Sequence, residues 1–402
     1  MPYGPGKCAA ITAEGRKQDM KIIVLGNQAR ALSNFWSVLI RRMRQGGHEV
    51  LCCAPPGDPE ADAALKGLGA AVLHYQLDRK GLNPLHDART FAQLRRIFAE
   101  EKPDLLFAST IKPVIYGCMA ARRARVPHVY ATITGLGYAF EADSLFKKCV
   151  NRLSVLLYRM ALRNAEGVFF QNQDDIRIFR QSGILDAGAR VLTARGTGVD
   201  IARFAPAPLP PLPPHGPVTF LLVGRLLEAK GLAEYAEAAR LLKGRYPQAR
   251  FQLLGPPEEG LGSVSLDRIR TWEHENGMEY LGETRDVRPH VAAAHVLVLP
   301  SWREGTPTSI MEGMSMGRAA VVTDVPGCRE VVRDGINGRM VPLRDPGALA
   351  EAMESFILAP ETIARMGTAG RELAVREFDA EKVAARILED MHVPAGAERE
   401  MQ

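Results

Sequence analysis

The stretch Lys21–Gly26, KIIVLG, decides the type of fold. It is a short apolar run, rich in β-branched residues, that ends in glycine, which is typical of a buried parallel strand. A helical pattern, FWSVLIRRMRQGG, follows and stops at Gly46 and Gly47. The next apolar run, HEVLCCA, is a second strand. Strand, helix and strand at this spacing predict a parallel sheet with crossover helices.

The same alternation continues and then restarts in the second half of the chain. AAVLHYQL, DLLFAS and HVYATIT are strands, with helices around DARTFAQLRRIFAEE and YGCMAARRARV. A proline-dense segment (204–217, FAPAPLPPLPPHGP) favours an extended connector. Beyond it, VTFLLVGRL, RFQLLG, MEYLGE, HVLVLPS and AAVVTD are strands, and LAEYAEAARLLKGRY is a helix. We therefore expect two α/β domains facing a cleft, with ligands at the carboxyl ends of the strands.

Length and composition agree with two globular domains. A chain of 402 residues is too long for one ordinary hydrophobic core. It contains no run of about eighteen apolar residues that would provide a membrane span. The start lacks the apolar stretch of a signal peptide. The six cysteines contain no C-x-x-C pair, so we expect free thiols and no metal site. The predicted segments are a disordered extension (1–19), an N-terminal domain (20–204), a proline-rich linker (205–217), a C-terminal domain (218–375) and a C-terminal helix with a tail (376–402).

The net charge of +5 conceals an asymmetry between the two halves. Residues 1–205 hold 29 Lys and Arg against 18 Asp and Glu, whereas residues 206–402 hold 22 against 28. The basic half indicates an anionic partner, such as a phosphorylated ligand, a membrane surface or nucleic acid. A solvated surface without any partner explains the charge equally well.

Two short segments of the second domain contain the chemically informative residues. In VGRLLEAKG (223–231), Arg225 and Lys230 follow a strand and precede a helix, which suits phosphate oxygens or an ordinary charged loop. In SWREGTPTSIMEGMSMG (301–317), seven residues separate Glu304 from Glu312. Thr306 suits the N-cap and Pro307 the first helical turn, so the amides of the next two residues, Thr308 and Ser309, are positioned for an anion. A well-capped helix with acids near its positive end is the alternative.

Taken together, these motifs resemble the retaining nucleotide-sugar glycosyltransferases of the GT-B fold, in the large family with an E-x7-E motif (family 4). The opening strand, RGTGVD (195–200), GRLLEAKG, the E-x7-E segment and VVRDGINGRMVPLRDPGALAEAM (331–353) carry the resemblance over nearly the whole ordered chain. It implies two Rossmann-like domains and a UDP-sugar donor. No D-x-D triplet occurs, which fits a site where cations replace a divalent metal, and we expect no cofactor.

The resemblance also implies roles for individual residues. Arg225 and Lys230 hold the donor diphosphate, Glu304 the transferred sugar and Glu312 the ribose. The backbone of Gly282–Val287 reads the base. The expected catalytic residues are Glu304, Arg225 and Lys230, and the expected donor-binding residues add Gly282, Thr308, Ser309 and Glu312.

The N-terminal half resembles one branch of the family, whose members add N-acetylgalactosamine to sugars carried on a polyprenyl diphosphate. The segments 32–50, 109–117 (STIKPVIYG) and 132–140 (TITGLGYAF) carry this resemblance. The acceptor-binding candidates are Asn27, Ser33, Asn34, Lys112, Thr134 and Gly135. Many relatives have a histidine near the loop of Thr134, and this chain does not, which leaves the catalytic detail on this side open.

A basic amphipathic pattern suggests contact with a membrane. FKKCVNRLSVLLYRMALRNA (146–165) interleaves Lys147, Lys148 and Arg152 with apolar residues, as in helices that lie on an anionic bilayer. A core-facing helix with basic exposed positions looks similar. We see no motif for nucleic acid.

The combined expectation is a retaining hexosyltransferase that moves an N-acetylhexosamine (GalNAc or GlcNAc) from a UDP-sugar to a polyprenyl-diphosphate-linked saccharide in bacterial glycan assembly. We expect it in the cytoplasm, peripheral on the inner face of the membrane. The alternatives are a UDP-sugar 2-epimerase on the same fold and a non-catalytic nucleotide-sugar binding protein. The E-x7-E segment with GRLLEAKG argues against the epimerase.

Overall fold

The structure is a computed structural model that describes residues 19–79, 81, 83–136, 145–212, 217–260 and 262–394, with the main chain alone for 145–147. The predicted disordered extension lies outside these residues except for Asp19. Two parallel sheets, each with helices on both faces, make up the described chain. The predicted α/β architecture of two Rossmann-like domains is therefore confirmed.

The N-terminal sheet has seven parallel strands in the order β3-β2-β1-β4-β5-β6-β7. Its central strands are buried on both faces, as their continuous apolar sequences predict. The strands are β1 (Lys21–Leu25), β2 (Glu49–Ala54), β3 (Ala71–His74), β4 (Leu105–Ser109), β5 (His128–Ile133), β6 (Gly167–Phe170) and β7 (Val191–Thr193). The helices are α1 (Ala29–Phe35), α2 (Ser37–Gln45), α3 (Pro59–Gly67), α4 (Pro84–Glu101), α5 (Ile111–Ala124), α6 (Leu145–Leu162) and α7 (Gln173–Gln181).

The helical pattern predicted from Phe35 onwards is in fact the second of two consecutive helices. The helix is interrupted at Trp36, whose backbone leaves the helical region (φ −111°, ψ 8°) between α1 and α2. The indole is buried, and its ring packs edge-on against Phe107, with 5.0 Å between centroids. The helix expected at 35–47 therefore begins two residues later.

The C-terminal sheet has six parallel strands in the order β10-β9-β8-β11-β12-β13. Its strands are β8 (Thr219–Val223), β9 (Arg250–Leu254), β10 (Met278–Tyr280), β11 (Val296–Leu299), β12 (Ala319–Thr323) and β13 (Gly338–Val341). Its helices are α8 (Leu232–Lys243), α9 (Leu266–Asn276), α10 (Arg288–Ala293), α11 (Thr308–Ser315), α12 (Cys328–Val331), α13 (Pro346–Leu358) and α14 (Glu361–Leu373).

The chain passes between the domains twice, and the two crossings are hydrogen-bonded to each other. The amide of Val199 donates to the carbonyl of Phe378 at 2.7 Å, and the amide of Ala380 donates back to Val199 at 3.0 Å. A Cβ at Gly198 would lie 2.5 Å from the Cα of Ala380, so this approach needs glycine. After the second crossing, α15 (Ala380–Asp390) packs against α2, and the predicted C-terminal helix thus belongs to the N-terminal core.

Both sheets have a point where the strand order reverses, between β1 and β4 and between β8 and β11. Ligands of open α/β sheets bind at the carboxyl ends of the strands beside such points. Asn27 and Thr110 follow the first pair of strands, whereas Arg225 and Glu304 follow the second pair. The fold therefore places Asn27, Arg225 and Glu304 at the carboxyl ends of strands beside these two points. Among the described helices, none combines the length and apolarity needed to cross a membrane.

Candidate active site

The two donor motifs form one unit at the ends of β8 and β11. Arg225 follows β8, and a 3-10 turn (Glu228–Lys230) leads to Gly231, where α8 starts. Gly231 has φ 70°, and a Cβ there would lie 2.0 Å from the carbonyl oxygen of Pro300. The amide of Trp302 also donates to the carbonyl of Ala229 at 2.8 Å. The glycine therefore allows the turn that carries Lys230 to touch the segment that carries Glu304.

The three predicted catalytic side chains are all ion-paired in this structure. Lys230 Nζ donates to Glu304 Oε1 at 2.6 Å, in a pair whose side chains are 22% and 13% exposed. Arg225 Nη1 donates to Glu258 Oε2 at 2.8 Å, and Arg225 is half exposed. In the second pair the guanidinium of Arg225 lies at the surface, although Glu258 is only 17% exposed, and surface ion pairs stabilise a fold by only about 0–1 kcal/mol. An anionic ligand can therefore replace Glu258 at Arg225 at little cost.

Helix α11 starts one residue later than predicted, and Thr306 does not cap it. The N-cap is Pro307, which has no capping side chain, and the hydroxyl of Thr306 is buried without a hydrogen-bond partner. The prediction of Thr306 as the cap is wrong because the carbonyl of Pro307 is the group that accepts from the first turn. The amides of Thr308 and Ser309 precede the first intrahelical bond and have no intrahelical acceptor.

Glu312 is a carboxylate without a hydrogen-bond partner among the described residues. Part of its side-chain surface faces solvent, but the surrounding atoms are dense, and burial raises its pKa to about 7 despite the nearby charge of Arg203. Met311 and Met314, on either side of it in the sequence, are buried in the core. A carboxylate held in this way has unused acceptor capacity for hydroxyl donors.

The predicted base-reading loop lies at the same edge of the C-terminal sheet. Gly282 follows β10 with φ 74°, and its carbonyl accepts from the amide of Gly255 at 2.8 Å. Further along, Arg288 donates to both oxygens of Asp286, which lowers the pKa of that carboxyl to about 2. These contacts order the loop.

Across the cleft, the Thr134–Gly135 turn touches the loop of Glu304. A Cβ at Gly305 would lie 2.2 Å from the carbonyl oxygen of Thr134, so the two loops are in contact. Of the other acceptor candidates, Asn27 is half-buried after β1, and Ser33 donates to a carbonyl of its own helix. Asn34 is exposed on α1.

Lys112 has a structural role here. Its ammonium donates to the carbonyls of Asp78 and Gly81 and to the carboxylate of Asp87, each at 2.7 Å, and the side chain is only 15% exposed. An ammonium group has three donors, and all three are used. Lys112 therefore ties the loop before α4 to that helix, and its role in acceptor binding stays a prediction.

A buried ion pair next to Glu304 escaped the sequence reasoning. Arg303 donates to the carboxylate of Asp175, which lies at the start of α7 in the other domain and is fully buried. Asn172 accepts from the amide of Asp175 at 2.8 Å and so caps the helix. The pattern Asn172-x-x-Asp175 after a strand was a usable signal of a helix start, but nothing in it indicates a partner more than a hundred residues away.

Helix α6 has one face in the core and one face in solvent. Tyr158, Ala161 and Leu162 are buried, whereas Lys148 and Arg152 are exposed. Among the described side chains of this helix, the large apolar ones of Leu153, Leu156 and Met160 are also exposed. The side chain of Lys147 lies outside the described part. The helix therefore packs in the core and presents basic and apolar side chains to solvent, and its contact with a membrane stays a prediction.

Comparison with known proteins identifies the family. Residues 32–196 match the model described as "Glycosyl transferase 4-like domain", and residues 217–358 match "Glycosyl transferases group 1". The chain belongs to this glycosyltransferase family. The predicted family and the prediction of a hexosyltransferase are thereby confirmed.

Two relatives and one solved structure extend the comparison. The glycosyltransferase is 25% identical over 379 residues, covering 92% of this chain and 97% of the other, to the N,N'-diacetylbacillosaminyl-diphospho-undecaprenol alpha-1,3-N-acetylgalactosaminyltransferase of Campylobacter jejuni. It is 26% identical over 284 residues, covering 68% and 71%, to the UDP-Gal:alpha-D-GlcNAc-diphosphoundecaprenol alpha-1,3-galactosyltransferase of Escherichia coli. The crystal structure of Anabaena Alr3699/HepE in complex with UDP and glucose superimposes with a TM-score of 0.73 at 20% identity, covering 93% and 100%. The GT-B fold is therefore confirmed.

Proposed function

We propose that this glycosyltransferase transfers an N-acetylhexosamine, with retention, from a UDP-sugar to a saccharide carried on a polyprenyl diphosphate. The observation that carries the proposal is the pairing of Lys230 with Glu304 directly beside the Thr134–Gly135 turn of the other domain. The C-terminal domain thus presents a cation and a carboxylate at the place where the N-terminal domain presents the Thr134–Gly135 turn. The names of the two relatives, which both specify undecaprenyl-diphosphate-linked sugars, support this substrate class.

The donor diphosphate binds to cations and amides of the C-terminal domain. Arg225 and Lys230 neutralise the charge that develops on the departing UDP. Electrostatic stabilisation of this kind is often the largest contribution to the rate enhancement of an enzyme. The free amides of Thr308 and Ser309 share the phosphate, since an uncapped helix start favours an anion. We propose a metal-independent reaction, in which two cationic side chains and two free amides together neutralise the diphosphate.

The two glutamates have separate tasks. Glu312 accepts hydrogen bonds from the ribose hydroxyls, because its carboxylate has no hydrogen-bond partner within the described chain and is held against buried neighbours. Glu304 orients the hydroxyls of the transferred sugar, with Lys230 fixing one of its oxygens at 2.6 Å. The backbone of Gly282–Val287 reads the base at the edge of the same sheet.

The acceptor saccharide binds along the N-terminal side of the cleft. Thr134 and Gly135 lie next to Glu304, since their turn contacts the loop on which that residue lies. Asn27, Ser33 and Asn34 follow β1 or lie on α1, where they can bind sugars further from the reacting carbon.

The lipid carrier requires that the protein work at a membrane surface. On α6, Lys148 and Arg152 are exposed together with Leu153 and Leu156, which are about half exposed. Apolar side chains flanked by cations suit the boundary of an anionic bilayer. We therefore propose peripheral binding to the inner face of the cytoplasmic membrane.

The proposal is tested by incubating the protein with a panel of UDP-sugars and lipid-linked acceptors and analysing products by mass and linkage. We expect one lipid-linked product that is larger by one N-acetylhexosamine, in the anomeric configuration of the donor. Conversion of the UDP-sugar into its epimer without a lipid product would replace the proposal with the epimerase. Donor binding without transfer to any acceptor would replace it with the binding protein.

A further inference from the structure

Residues of the N-terminal domain hold the loop of Glu304 on both sides. Before Glu304, Arg303 donates to the buried carboxylate of Asp175. After it, the carbonyl of Gly305 accepts from the side-chain amide of Asn172 at 3.4 Å. The same amide group also donates to Asp175 at 3.2 Å, so one polar network reaches both neighbours of Glu304.

This network differs from the other ion pairs between the domains. Asp175 is fully buried and makes a charge-assisted bond to Arg303, whereas Arg329 lies 3.5 Å from Asp174 with a half-exposed side chain. Burial of a carboxylate is unfavourable unless it is paired and hydrogen-bonded, so Asp175 depends on its partner in the other domain. The positive end of α7, where Asp175 lies in the first turn, also stabilises its charge.

The loop of Glu304 makes close contacts with both domains. The amide of Glu304 donates to the carbonyl of Pro326 at 3.2 Å, and a Cβ at Gly327 would lie 2.4 Å from the carbonyl oxygen of Gly305. On the opposite side, a Cβ at Gly305 would lie 2.4 Å from the amide oxygen of Gln171 in the N-terminal domain. The loop is therefore enclosed between its own domain and the facing one, and its position depends on both.

We propose that Asp175 is a positioning residue for the transfer reaction, acting through Arg303 to fix Glu304 relative to the acceptor domain. The inference rests on the proposed role of Glu304 and adds that its geometry is completed by the other domain. Donor binding by Arg225 and Glu312 does not require this contact, whereas turnover does. Asp175 should therefore affect kcat and leave the affinity for UDP unchanged.

The first test replaces Asp175 with asparagine, which keeps the shape and removes the charge. We expect kcat to fall on the order of 100-fold, as for a small misplacement of a reacting group. The dissociation constant for UDP should stay within about threefold, because the diphosphate and ribose contacts are retained. The matched control is Asp174→Asn, next in the sequence and also at the domain boundary, for which kcat should stay within about twofold. Equal effects of the two variants would overturn the proposal.

The second test is a double-mutant cycle with Glu304→Gln. If Asp175 acts through Glu304, then Asp175→Asn should reduce kcat much less in the Glu304→Gln background than in the wild type. Fully multiplicative losses would overturn the inference while leaving the role of Glu304 intact. If the Glu304→Gln variant alone has the kcat of the wild type, the proposed role of Glu304 is contradicted. The two failures are therefore distinguishable.

Thermal unfolding of each variant separates positioning from folding. If Asp175→Asn does not fold, Arg303→Lys provides the same test, because it keeps the charge and loses the planar fork that reaches the carboxylate. We expect a folded Arg303→Lys protein with lowered kcat and unchanged affinity for UDP. Lowered affinity for UDP together with unchanged kcat would overturn the proposal.

Discussion

Replacing Glu312 with glutamine should stabilise the protein and weaken its donor binding. Glu312 has no hydrogen-bonding partner in the described chain, and burial raises its pKa from 4.5 to about 7. Ionising this carboxyl therefore costs more in the folded chain than in the unfolded one. The cost is absent at pH values below the unfolded pKa, grows as the pH rises towards the folded pKa, and is complete above about pH 7.

The size of the effect follows from the pKa difference. Each unit corresponds to about 1.36 kcal/mol, so a rise from 4.5 to about 7 corresponds to about 3 kcal/mol. Glu312→Gln should therefore raise the free energy of unfolding by up to about 3 kcal/mol at pH 8, and the gain should shrink as the pH falls towards 5. Loss of charged hydrogen bonds to ribose, worth about 1.5–3 kcal/mol each, should weaken UDP binding at least about tenfold.

Urea unfolding at a series of pH values and calorimetric titration with UDP measure both quantities. We expect the affinity of the wild type for UDP to fall more steeply below about pH 7 than that of Glu312→Gln, because protonation of Glu312 removes its charge and part of its acceptor capacity. A variant less stable than the wild type at pH 8 would show that Glu312 is not destabilising, and one that binds UDP equally tightly would show that Glu312 does not bind the ribose.

Three further changes test other parts of the structure. Arg225→Ala should reduce kcat at least about 100-fold in the transfer assay with little change in thermal stability, and near-normal turnover would contradict its assignment to the diphosphate. Gly231→Ala should cost about 2–4 kcal/mol in urea unfolding, because of its positive φ and its contact with Pro300, whereas Gly244→Ala, which meets no neighbour, should be neutral. Removing the charges of Lys148 and Arg152 should weaken partition into anionic vesicles and spare UDP affinity, and unchanged partition would argue against the membrane surface.

The sequence predicted the fold because its strands are apolar on both faces. KIIVLG and HVLVLPS need burial on two sides, which a parallel sheet covered by helices provides. Helix limits were harder to predict, since Trp36 breaks one helical pattern in order to bury its indole, and such packing depends on residues far away in the sequence. The packing of α15 against the first domain could not be predicted either, because the apolar face of this helix does not specify its partner.

The site was predictable where local chemistry determines it. Lys230 and Glu304 follow two neighbouring strands of one sheet, so their contact at 2.6 Å followed from the parallel topology, while the binding roles of Arg225 and Glu312 stay predictions. The network around Asp175 could not be predicted in this way, since it joins two domains through a contact that no local pattern encodes. Thr306 shows the opposite case. Its sequence position suits a helix cap, but the helix starts one residue later and leaves Thr306 outside the N-cap position.

The proposed transfer of a sugar from a UDP-sugar to a lipid-linked acceptor fixes the stoichiometry of UDP release. We expect one UDP released for each lipid-linked saccharide extended, and we expect release to depend on the acceptor. UDP release at the same rate without acceptor, or a lipid product formed without UDP, would rule this transfer out.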